Sequence, residues 1–595
     1  MAGFKAPLRD MEFVFTELAG LAPILSLLGA EDYSPELVST VLQEAGKIAE
    51  DVIAPLNHSG DKQGAKLENG QVRVADGWQP AYDTLVEGNW LGLPFPQEHG
   101  GMGLPWLVNA ATSELWASAN TAFALSTILT QGATHAIISC GSEEQKAKYL
   151  PKLVSGEWTG TMVLTEAGAG SDLAAVRTKA VKMGDHYLIS GQKIFITYGD
   201  HEMTPNIIHM VLARTPDAPP GVKGISLFIV PKFLVNDDGS LGQRNDVRPV
   251  SLEHKLGIHA SPTAVMSFGD DKGAIGYLVG EEGRGLEFMF IMMNNARLNV
   301  GLQGVAIAER AYQQALGYAR ERIQGKAIGK SERGPIIDHP DVRRLLFTMK
   351  AKVEAMRALA YIEAAALDLA EHEASDEKKK AGQLLADFLN PIVKGWCTET
   401  GIEVASAGVQ VHGGMGFIEE TGAAQHYRDV RITAIYEGTT AIQANDLINR
   451  KLGRDQGTVA KALLDDVKAL AVSMKKDPSP ELSAIGRAME EAQGEALTAI
   501  EWVLAAGAQD TRLPAAASVP LLLLLGTTLG GHQMARSAVA AHARLAEGTH
   551  EKDFMTAKIA TAHFYAHHVL PEALALRRTV TEGSASVMSL SSELF

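Results

Sequence analysis

A block of short β-branched and aromatic runs, at about residues 158–280, interrupts a chain that otherwise repeats apolar residues at helical spacing. Runs such as HYLISGQKIFIT and GISLFIVP alternate with turn-rich pieces such as TPDAPPG, which predicts a compact β domain. The sequence shows no strand–helix–strand alternation, so it disfavours a Rossmann fold. Helices on both sides of one small β domain therefore predict an α+β chain that is mostly α.

Changes of pattern along the chain predict its domains. The sequence is helical up to about residue 155, the charged run 371–380 predicts a solvated loop between helices, and KKDPSPE at 475–481 marks another break. The predicted segments are an N-terminal extension (1–40), an N-terminal helical domain (41–157), a middle β-barrel or sandwich domain (158–280), a helical bundle (281–455) and an extra C-terminal helical domain (456–595).

Composition limits the partners and the compartment. The net charge of −16 disfavours a nucleic-acid or anionic-membrane surface. Two cysteines and an N-terminus without an apolar leader predict a reducing compartment, the cytoplasm of a bacterium. The apolar run AAASVPLLLLLGTTL is short for a membrane span and contains Pro520 and Gly526, so we expect a buried helix and no transmembrane segment. Peripheral membrane contact is the second interpretation of this run.

A lone acid, Glu437, lies in the apolar stretch IYEGTTAIQ. It lies either on a surface turn or in a dry place where a reaction needs a base. Two glycine-rich stretches, LTEAGAGSDL and QVHGGMGF, also allow two interpretations. The first is a tight turn or an anion-binding loop, and the second is a helix end or a ligand contact.

Basic and histidine residues form two further candidate groups. Arg320, Arg322 and Lys326 are concentrated at a helix end, where they either complement the helix dipole or bind a pyrophosphate. His563 and His567 share one helical face without an evident partner acid, and no metal site is predicted.

Taken in order, these motifs resemble the acyl-CoA dehydrogenase family. LTEAGAGSDL resembles its first signature, and QVHGGMGFIEE followed by RDVRI and IYEGTT resembles its second. GEEGRGL, ARLNVGLQG and ERIQGK resemble stretches between the signatures. The resemblance covers about residues 40–450, and the extra helical C-terminus is similar to a branch of about 600 residues that includes methylthiopropanoyl-CoA and bacterial fatty acyl-CoA dehydrogenases.

The resemblance implies FAD bound between the β domain and the second helical block, and a homodimer. Glu437 would be the catalytic base, and Ala296, at the position where a minority of relatives place theirs, cannot act as one. Residues carried over as cofactor contacts are Thr165, Gly170, Ser171, Phe195, Thr197, Arg322, Gln324, Gln410, Gly413, Gly414 and Thr439. Those carried over as substrate contacts are Ser171, Arg297, Tyr436 and Gly438.

The chain departs from the family pattern at several positions. Phe195 stands where many members carry tryptophan, and Gln425 replaces a frequent basic residue. The usual R-x-x-F-G is RIQGK here, and His339-Pro340 stands where His-Gln is common. Phe195 keeps a flat apolar wall but lacks the indole donor, RIQGK affects the expected contacts to the adenine end of FAD, and His339-Pro340 weakens one further expected contact to FAD.

The implied reaction removes two hydrogens from the α and β carbons of an acyl-CoA to give the trans-2-enoyl-CoA, with electrons passing to an electron-transfer flavoprotein. Burial of a carboxylate raises its pKa, and one unit corresponds to about 1.4 kcal/mol of basicity. One alternative is an acyl-CoA oxidase that uses O2. Another is a non-catalytic, nucleic-acid-binding relative, which the net charge and the presence of Glu437 disfavour. Residues 122–131 are expected to line the acyl pocket, but they do not fix the chain length.

Overall fold

The computed structural model describes residues 3–29 and 33–595, so residues 1–2 and 30–32 of the predicted N-terminal extension lie outside the described part. The chain forms two compact units. The helical unit comprises residues 1–46, 105–114 and 300–595, and the β-containing unit comprises residues 47–104 and 115–299. Each unit is described by itself.

Helices make up most of the chain, as the apolar spacing predicts. In chain order they are α1 (Leu8–Phe13), α2 (Leu21–Leu27), α3 (Pro35–Ile48), α4 (Leu56–Gln63), α5 (Trp78–Glu87), α6 (Trp106–Cys140), α7 (Glu143–Val154), α8 (Gly285–Glu321), α9 (Pro340–His372), α10 (Asp376–His412), α11 (Ala423–Val430), α12 (Thr440–Asp446), α13 (Gly453–Asp455), α14 (Thr458–Lys475), α15 (Pro480–Ala506), α16 (Arg512–Ala546), α17 (Lys552–His568) and α18 (Glu572–Arg578).

Strands concentrate in the predicted middle block. They are β1 (Lys66–Glu68), β2 (Gln71–Arg73), β3 (Thr159–Val163), β4 (Lys179–Met183), β5 (His186–Thr197), β6 (Ile207–Arg214), β7 (Ile225–Pro231), β8 (Phe233–Val235), β9 (Leu241–Arg244), β10 (Val247–Leu252), β11 (Thr263–Phe268) and β12 (Ala274–Val279). The α+β class and the strand-rich middle domain are thus confirmed.

The main sheet is ordered β10-β11-β5-β12-β7-β6-β3, and β4 pairs with both β5 and β6. The long strand β5 joins its two halves, because its first half pairs with β12 and β4 and its second half with β11. Alternate residues of these strands fill one core, which includes Ile189, Val211, Phe228 and Met266.

The block up to about residue 155, predicted to be helical, also contains two short strands. Strands β1 and β2 form a hairpin there, with Lys66 opposite Arg73. Its turn is Asn69-Gly70, where both residues have positive φ (51° and 75°). An Asn-Gly pair favours this two-residue turn, so the sequence carried the signal.

The charged run 371–380 is mostly helical rather than loop. Helix α9 continues to His372 and α10 begins at Asp376, so that three residues connect them. Ser375 caps α10, because its side chain accepts a hydrogen bond from the Lys378 backbone N–H. The acids at the start of α10 and the basic His372 at the end of α9 complement the helix dipoles, which explains why this charged stretch is helical.

The helix that contains the apolar run near Leu521 is longer than the run itself, because α16 continues through Pro520 and Gly526 to Ala546. By length and composition α16 passes as a membrane span, but 61% of its most apolar window is buried within the structure. A Cβ at Gly526 would lie 2.1 Å from Cγ of Trp396 on α10, so glycine is required for the two helices to pack. The prediction of a buried helix is confirmed.

The N-terminal segment packs against the last helices of the same unit. Arg9 pairs with Glu551 and lies over the ring of Phe554, 4.4 Å from its centroid. Asp10 pairs with Arg357 at 2.6 Å and with Lys558. The segment is therefore held by residues more than five hundred positions away in sequence.

Candidate active site

The predicted catalytic acid lies on a tight turn directly before α12. Glu437 has φ +54° and Gly438 has φ +87°, so two consecutive residues are in the left-handed region. A non-glycine residue with this conformation is uncommon and is found where the surrounding structure enforces it. The Glu437 side chain is partly buried.

Buried side chains hold both carbonyls of this turn. The Gln443 amide donates to the Glu437 carbonyl at 2.9 Å, and the Lys394 amine donates to the Gly438 carbonyl at 2.7 Å. Lys394 and Gln443 are both fully buried. A Cβ at Gly438 would lie 2.8 Å from Nε2 of Gln443, so both the space and the positive φ require glycine.

The start of α12 continues this scaffold. The Thr439 hydroxyl accepts the Ile442 backbone N–H at 3.3 Å and so caps the helix, while the Thr440 hydroxyl donates to Glu399 at 2.5 Å. Thr439 was predicted to contact the cofactor, and that contact remains a prediction.

Tyr436 is fixed on the other side of Glu437. Its hydroxyl donates to the Gln303 side-chain oxygen. Burial, and next the charge of Glu437, raise the pKa of Tyr436 well above its ordinary value, so the phenol stays protonated. The amide nitrogen of Gln303 is buried without a hydrogen-bond partner among the described residues.

In the β-containing unit, the first glycine-rich stretch forms an irregular loop between β3 and β4. Gly168, Gly170 and Ser171 are exposed at its tip. A Cβ added at Gly168 or Gly170 would meet no atom within 4 Å. The backbone is thus accessible, as a loop that approaches a ligand requires.

Phe195 projects from a bulge at the end of β5. Two residues of β5, Ile194 and Phe195, oppose Val265 alone on β11, and Phe195 has φ +60°. Phe195 is 57% exposed, whereas Lys193 and Ile196 of the same strand are buried. The Ile194 backbone N–H donates to the Thr165 carbonyl at 2.9 Å, so the structure brings Thr165 and Phe195 together.

An exposed flat ring beside an open backbone loop suits an isoalloxazine ring, and Thr197 ends the same strand. Phenylalanine preserves the flat apolar wall that tryptophan provides in many members. The residues of this unit therefore fit FAD, although the individual contacts of Thr165, Gly170, Ser171, Phe195 and Thr197 remain predictions.

Arg297 and Ala296 lie on α8 and are nearly buried, with 5% and 4% of their surface exposed. The Arg297 guanidinium lies over the ring of Phe290, 5.8 Å from its centroid. The assignment of Arg297 to the CoA moiety remains a prediction.

Arg322 and Gln324 lie in an exposed hairpin that follows α8 in the helical unit. The Ile336 N–H donates to the Arg322 carbonyl at 2.8 Å, and Gln324 N–H donates to Gly334 at 3.2 Å. Lys330 and Arg333 line a cavity of about 170 Å³ in this hairpin. These two basic residues were missed in the sequence, where RIQGKAIGKSER shows only a basic loop.

The second glycine signature lies at the end of α10. Gln410, Gly413 and Gly414 are exposed, and Gly413 ends the helix with φ +60°. His412 stacks on Tyr318 of α8, with ring centroids 4.5 Å apart, so the structure brings this signature close to the Arg322 hairpin. Beyond it, Met415, Phe417 and Ile418 are exposed at 43%, 88% and 43%.

The two departures near this site have structural explanations. Gln425 is buried and donates to Asp429 at 3.2 Å, so its amide has a partner in the interior without adding a charge there. His339 bonds the Gln324 carbonyl at 2.9 Å, and Pro340 stands at the first turn of α9, where proline is favoured.

Among residues 3–29 and 33–595, no group of three or more acidic, histidine or cysteine side chains is placed to hold a metal. His563 and His567 lie on one face of α17, with ring centroids 4.5 Å apart. Cys397 is a free, buried cysteine.

Four family models match the chain. They are acyl-CoA dehydrogenase N-terminal domain at residues 38–157, middle domain at 161–270 and C-terminal domain at 283–452, and acetyl-CoA dehydrogenase C-terminal like at 461–591.

Individual proteins extend this similarity. A 3-methylmercaptopropionyl-CoA dehydrogenase of Ruegeria pomeroyi is 49% identical over 99% of this chain and 100% of its own. Among solved structures, an acyl-CoA dehydrogenase of Bacillus anthracis complexed with FAD has a TM-score of 0.74 at 23% identity, covering 95% of this chain and 90% of its own. A chain described as electron transferring flavoprotein of Acidaminococcus fermentans has a TM-score of 0.58 at 28% identity, covering 71% of this chain and 99% of its own.

Proposed function

The chain belongs to the acyl-CoA dehydrogenase family of FAD-dependent enzymes, in the branch with an extra C-terminal helical domain, and we propose that its substrate is 3-methylthiopropanoyl-CoA. This acyl group is the one named in the Ruegeria pomeroyi relative, which is similar over its whole length. A fatty acyl-CoA is the second candidate, because a relative in Mycobacterium tuberculosis, 33% identical over both full lengths, is named a broad-specificity linear acyl-CoA dehydrogenase.

The conformation of the Glu437 turn is the observation that carries the proposed mechanism. Glu437 takes the α-proton of the thioester, and its backbone N–H donates to the carbonyl oxygen, where negative charge develops. The electron pair of the broken Cα–H bond forms the double bond as hydride leaves the β carbon. The hydrogen bonds from Gln443 and Lys394 keep the turn in place during this step.

Bound FAD supplies the acceptor for that hydride. We assign Thr165, Gly170, Ser171, Phe195 and Thr197 to the flavin end in the β-containing unit. In the helical unit we assign contacts with the rest of the cofactor, some of them in a neighbouring subunit, to Arg322, Gln324, Gln410, Gly413, Gly414 and Thr439.

Four residues are assigned to the substrate. Ser171 and Gly438 contact the thioester, Tyr436 lines the acyl pocket, and Arg297 lies near CoA. The protonated phenol of Tyr436 supports this role, because a neutral wall beside Glu437 adds no competing charge.

The electron acceptor is proposed to be an electron-transfer flavoprotein, in agreement with the description of the Acidaminococcus fermentans chain. A homodimer is proposed as well. Its support is the exposed ring of Phe417, 88% accessible, next to the second glycine signature. The cytoplasm is the proposed location, on the basis of the low cysteine content. The five predicted segments and the boundaries between them are likewise kept as a proposal.

Anaerobic titration of the purified yellow protein with acyl-CoAs, from 3-methylthiopropanoyl to palmitoyl, tests the function. We expect the 3-methylthiopropanoyl thioester to bleach the flavin at the lowest concentration. Bleaching by palmitoyl-CoA alone would transfer the assignment to a fatty acyl substrate. If no thioester bleaches the flavin, the proposal fails, and rapid turnover in air without an electron-transfer flavoprotein would indicate an oxidase.

A further inference from the structure

The glycine-rich loop of the β-containing unit connects β3, which ends at Val163, with β4, which begins at Lys179. Its tip is exposed and irregular, yet three of the residues assigned to the cofactor lie on it. Apart from a 3-10 turn at Leu173–Ala175 the loop is irregular, so holding it in one conformation has an entropic cost that contacts between its ends offset.

A single carboxylate near the start of the loop binds its end. Glu166 accepts hydrogen bonds from the backbone N–H groups of Arg177 at 2.8 Å and Thr178 at 3.0 Å, and from the Thr178 hydroxyl at 2.6 Å. Its own backbone forms reciprocal hydrogen bonds with Ala169, each of 3.0 Å. Glu166 therefore closes the loop and shapes the turn that carries Gly168.

A buried lysine connects this closed loop to strand β5. The Lys193 amine donates to the Leu164 carbonyl at 2.8 Å and pairs with Glu166 at 2.9 Å, and its side chain is fully buried. Lys193 stands two residues before Phe195. Thr165, between Leu164 and Glu166, is thereby held next to the exposed ring.

Burying an ion pair at this position has a large desolvation cost. Burial lowers the pKa of Lys193 to about 8, although Glu166 raises it. Burial alone would raise the pKa of Glu166, but the attraction of Lys193 and the hydrogen bonds from Thr178, Arg177 and Lys193 together lower it. A buried pair contributes little net stability compared with apolar side chains of similar size, but it demands one geometry. This pair is consistent with a requirement for position rather than for stability.

We propose that Glu166 and Lys193 are positioning residues for the flavin: their ion pair fixes the loop that carries Thr165 and Ser171 relative to the Phe195 ring. This inference rests on the proposed function, because it takes those three residues as cofactor contacts. Neither Glu166 nor Lys193 is assigned a contact with FAD or substrate.

The test compares holoenzyme variants Lys193→Met, Lys193→Arg and Glu166→Gln with Lys232→Met. The last removes another ion pair of the same unit, between Lys232 and Asp200 at 2.5 Å. We expect Lys193→Met to raise the FAD dissociation constant at least tenfold and to shift the flavin midpoint potential and its visible circular dichroism. Lys193→Arg should restore most of the affinity for FAD. Lys232→Met should leave the FAD dissociation constant, the midpoint potential and the visible circular dichroism near their wild-type values.

Unchanged FAD affinity and potential in Lys193→Met would overturn the proposal, as would an equal loss in Lys232→Met. If Lys193→Met does not fold, Thr178→Val removes one bond to Glu166 and should weaken FAD binding severalfold; wild-type binding by that variant overturns the proposal too. Phe195→Ala and Ser171→Ala distinguish a failure of the proposed cofactor site from a failure of the positioning role. Normal FAD binding by both would refute the proposed cofactor site, whereas weakened binding by them with a normal Lys193→Met refutes only the positioning role.

Discussion

The Glu437 turn of the helical unit and the glycine-rich loop of the β-containing unit are held by the same kind of group. Lys394 donates to the Gly438 carbonyl and Lys193 to the Leu164 carbonyl, and both lysine side chains are fully buried. The two loops differ in how they are closed. The glycine-rich loop needs Glu166 to join its ends, whereas the short turn leads into α12 and is held by the helix cap and by Gln443.

A buried lysine that donates to a backbone carbonyl therefore has a different role in each of the two loops. In the turn, the lysine holds one peptide group next to the base, so its loss should affect the chemical step. In the long loop, the lysine holds the relative position of two surfaces, so its loss should affect cofactor binding. The following predictions test this separation.

The largest effect is expected for Glu437→Gln, which removes the base and leaves the other loop intact. The rate of flavin reduction should fall roughly 10²–10⁴-fold, the range that general-base catalysis contributes, while FAD and acyl-CoA still bind. Stopped-flow measurement of flavin bleaching under anaerobic conditions provides the rate. Near-normal bleaching would exclude Glu437 as the base.

Gly438→Ala is expected to have the second largest effect on activity. The new methyl group would approach the Gln443 amide and strain a residue with φ +87°, so the turn must shift. A shift of this kind lowers kcat/KM on the order of 100-fold. Gly168→Ala, where the added carbon meets no atom within 4 Å, is the matched control and should retain its fold and thermal stability. Equal kcat/KM for Gly438→Ala and wild type would show that the turn tolerates the shift.

Lys394→Met is expected to lower the rate of flavin reduction about tenfold, because the Gly438 carbonyl loses its buried donor at a cost of about 1–3 kcal/mol. The FAD dissociation constant should stay within a factor of two of wild type. Lys394→Arg retains a donor and should recover part of the rate. The opposite result, weak FAD binding with a normal reduction rate, would erase the difference between the two lysines.

The last expected effect is on stability and not on the reaction rate. It distinguishes a buried acid of the helical unit, Glu363, from Lys193 of the β-containing unit. Burial raises the pKa of Glu363 to about 8, so folding retains a proton that the unfolded chain loses above about pH 4.5. Its contribution to stability is therefore full below that pH and is lost as the pH rises to 8. Glu363→Gln should be about 1–3 kcal/mol more stable than wild type at pH 8 and equal to it near pH 4.5.

Urea unfolding at several pH values, followed by far-UV circular dichroism, measures this difference. The pKa of Lys193 is lowered, so its contribution to stability changes with pH in the opposite direction to that of Glu363. The penalty for burying the charged amine is present below about pH 8 and is relieved as the pH rises toward 10.5. A Glu363→Gln variant whose stability parallels that of wild type at every pH would contradict the prediction.

Much of the fold could be predicted because helical and strand periodicities are local signals. The β block and the long helices are examples. Lys193 and Lys394 could not be assigned, since their carbonyl partners lie 29 and 44 residues away in sequence. A weak signal exists in both cases, a lysine within an apolar run, in GQKIF and in PIVKGW. Such a lysine rarely stays buried without a partner.

The bulge at Phe195 was equally hidden. The sequence KIFIT predicts a regular strand, and only pairing with β11 shows that two residues oppose one and that the ring is exposed. The helix α16 illustrates the reverse case, where proline and glycine suggested an end to the apolar run. Packing of Trp396 against Gly526 stabilises a continuous helix instead.

The attachment of the N-terminal segment has a consequence for synthesis of the protein. Asp10 leaves the ribosome well before its partner Lys558, which lies 548 positions later in the chain. At about 5–20 residues per second, the segment waits roughly half a minute to two minutes for its partner. During that time Phe13 and Phe15, buried in the finished protein, have no complete binding surface. The core around Phe13 is therefore completed only after α17, which carries Phe554, has been synthesised.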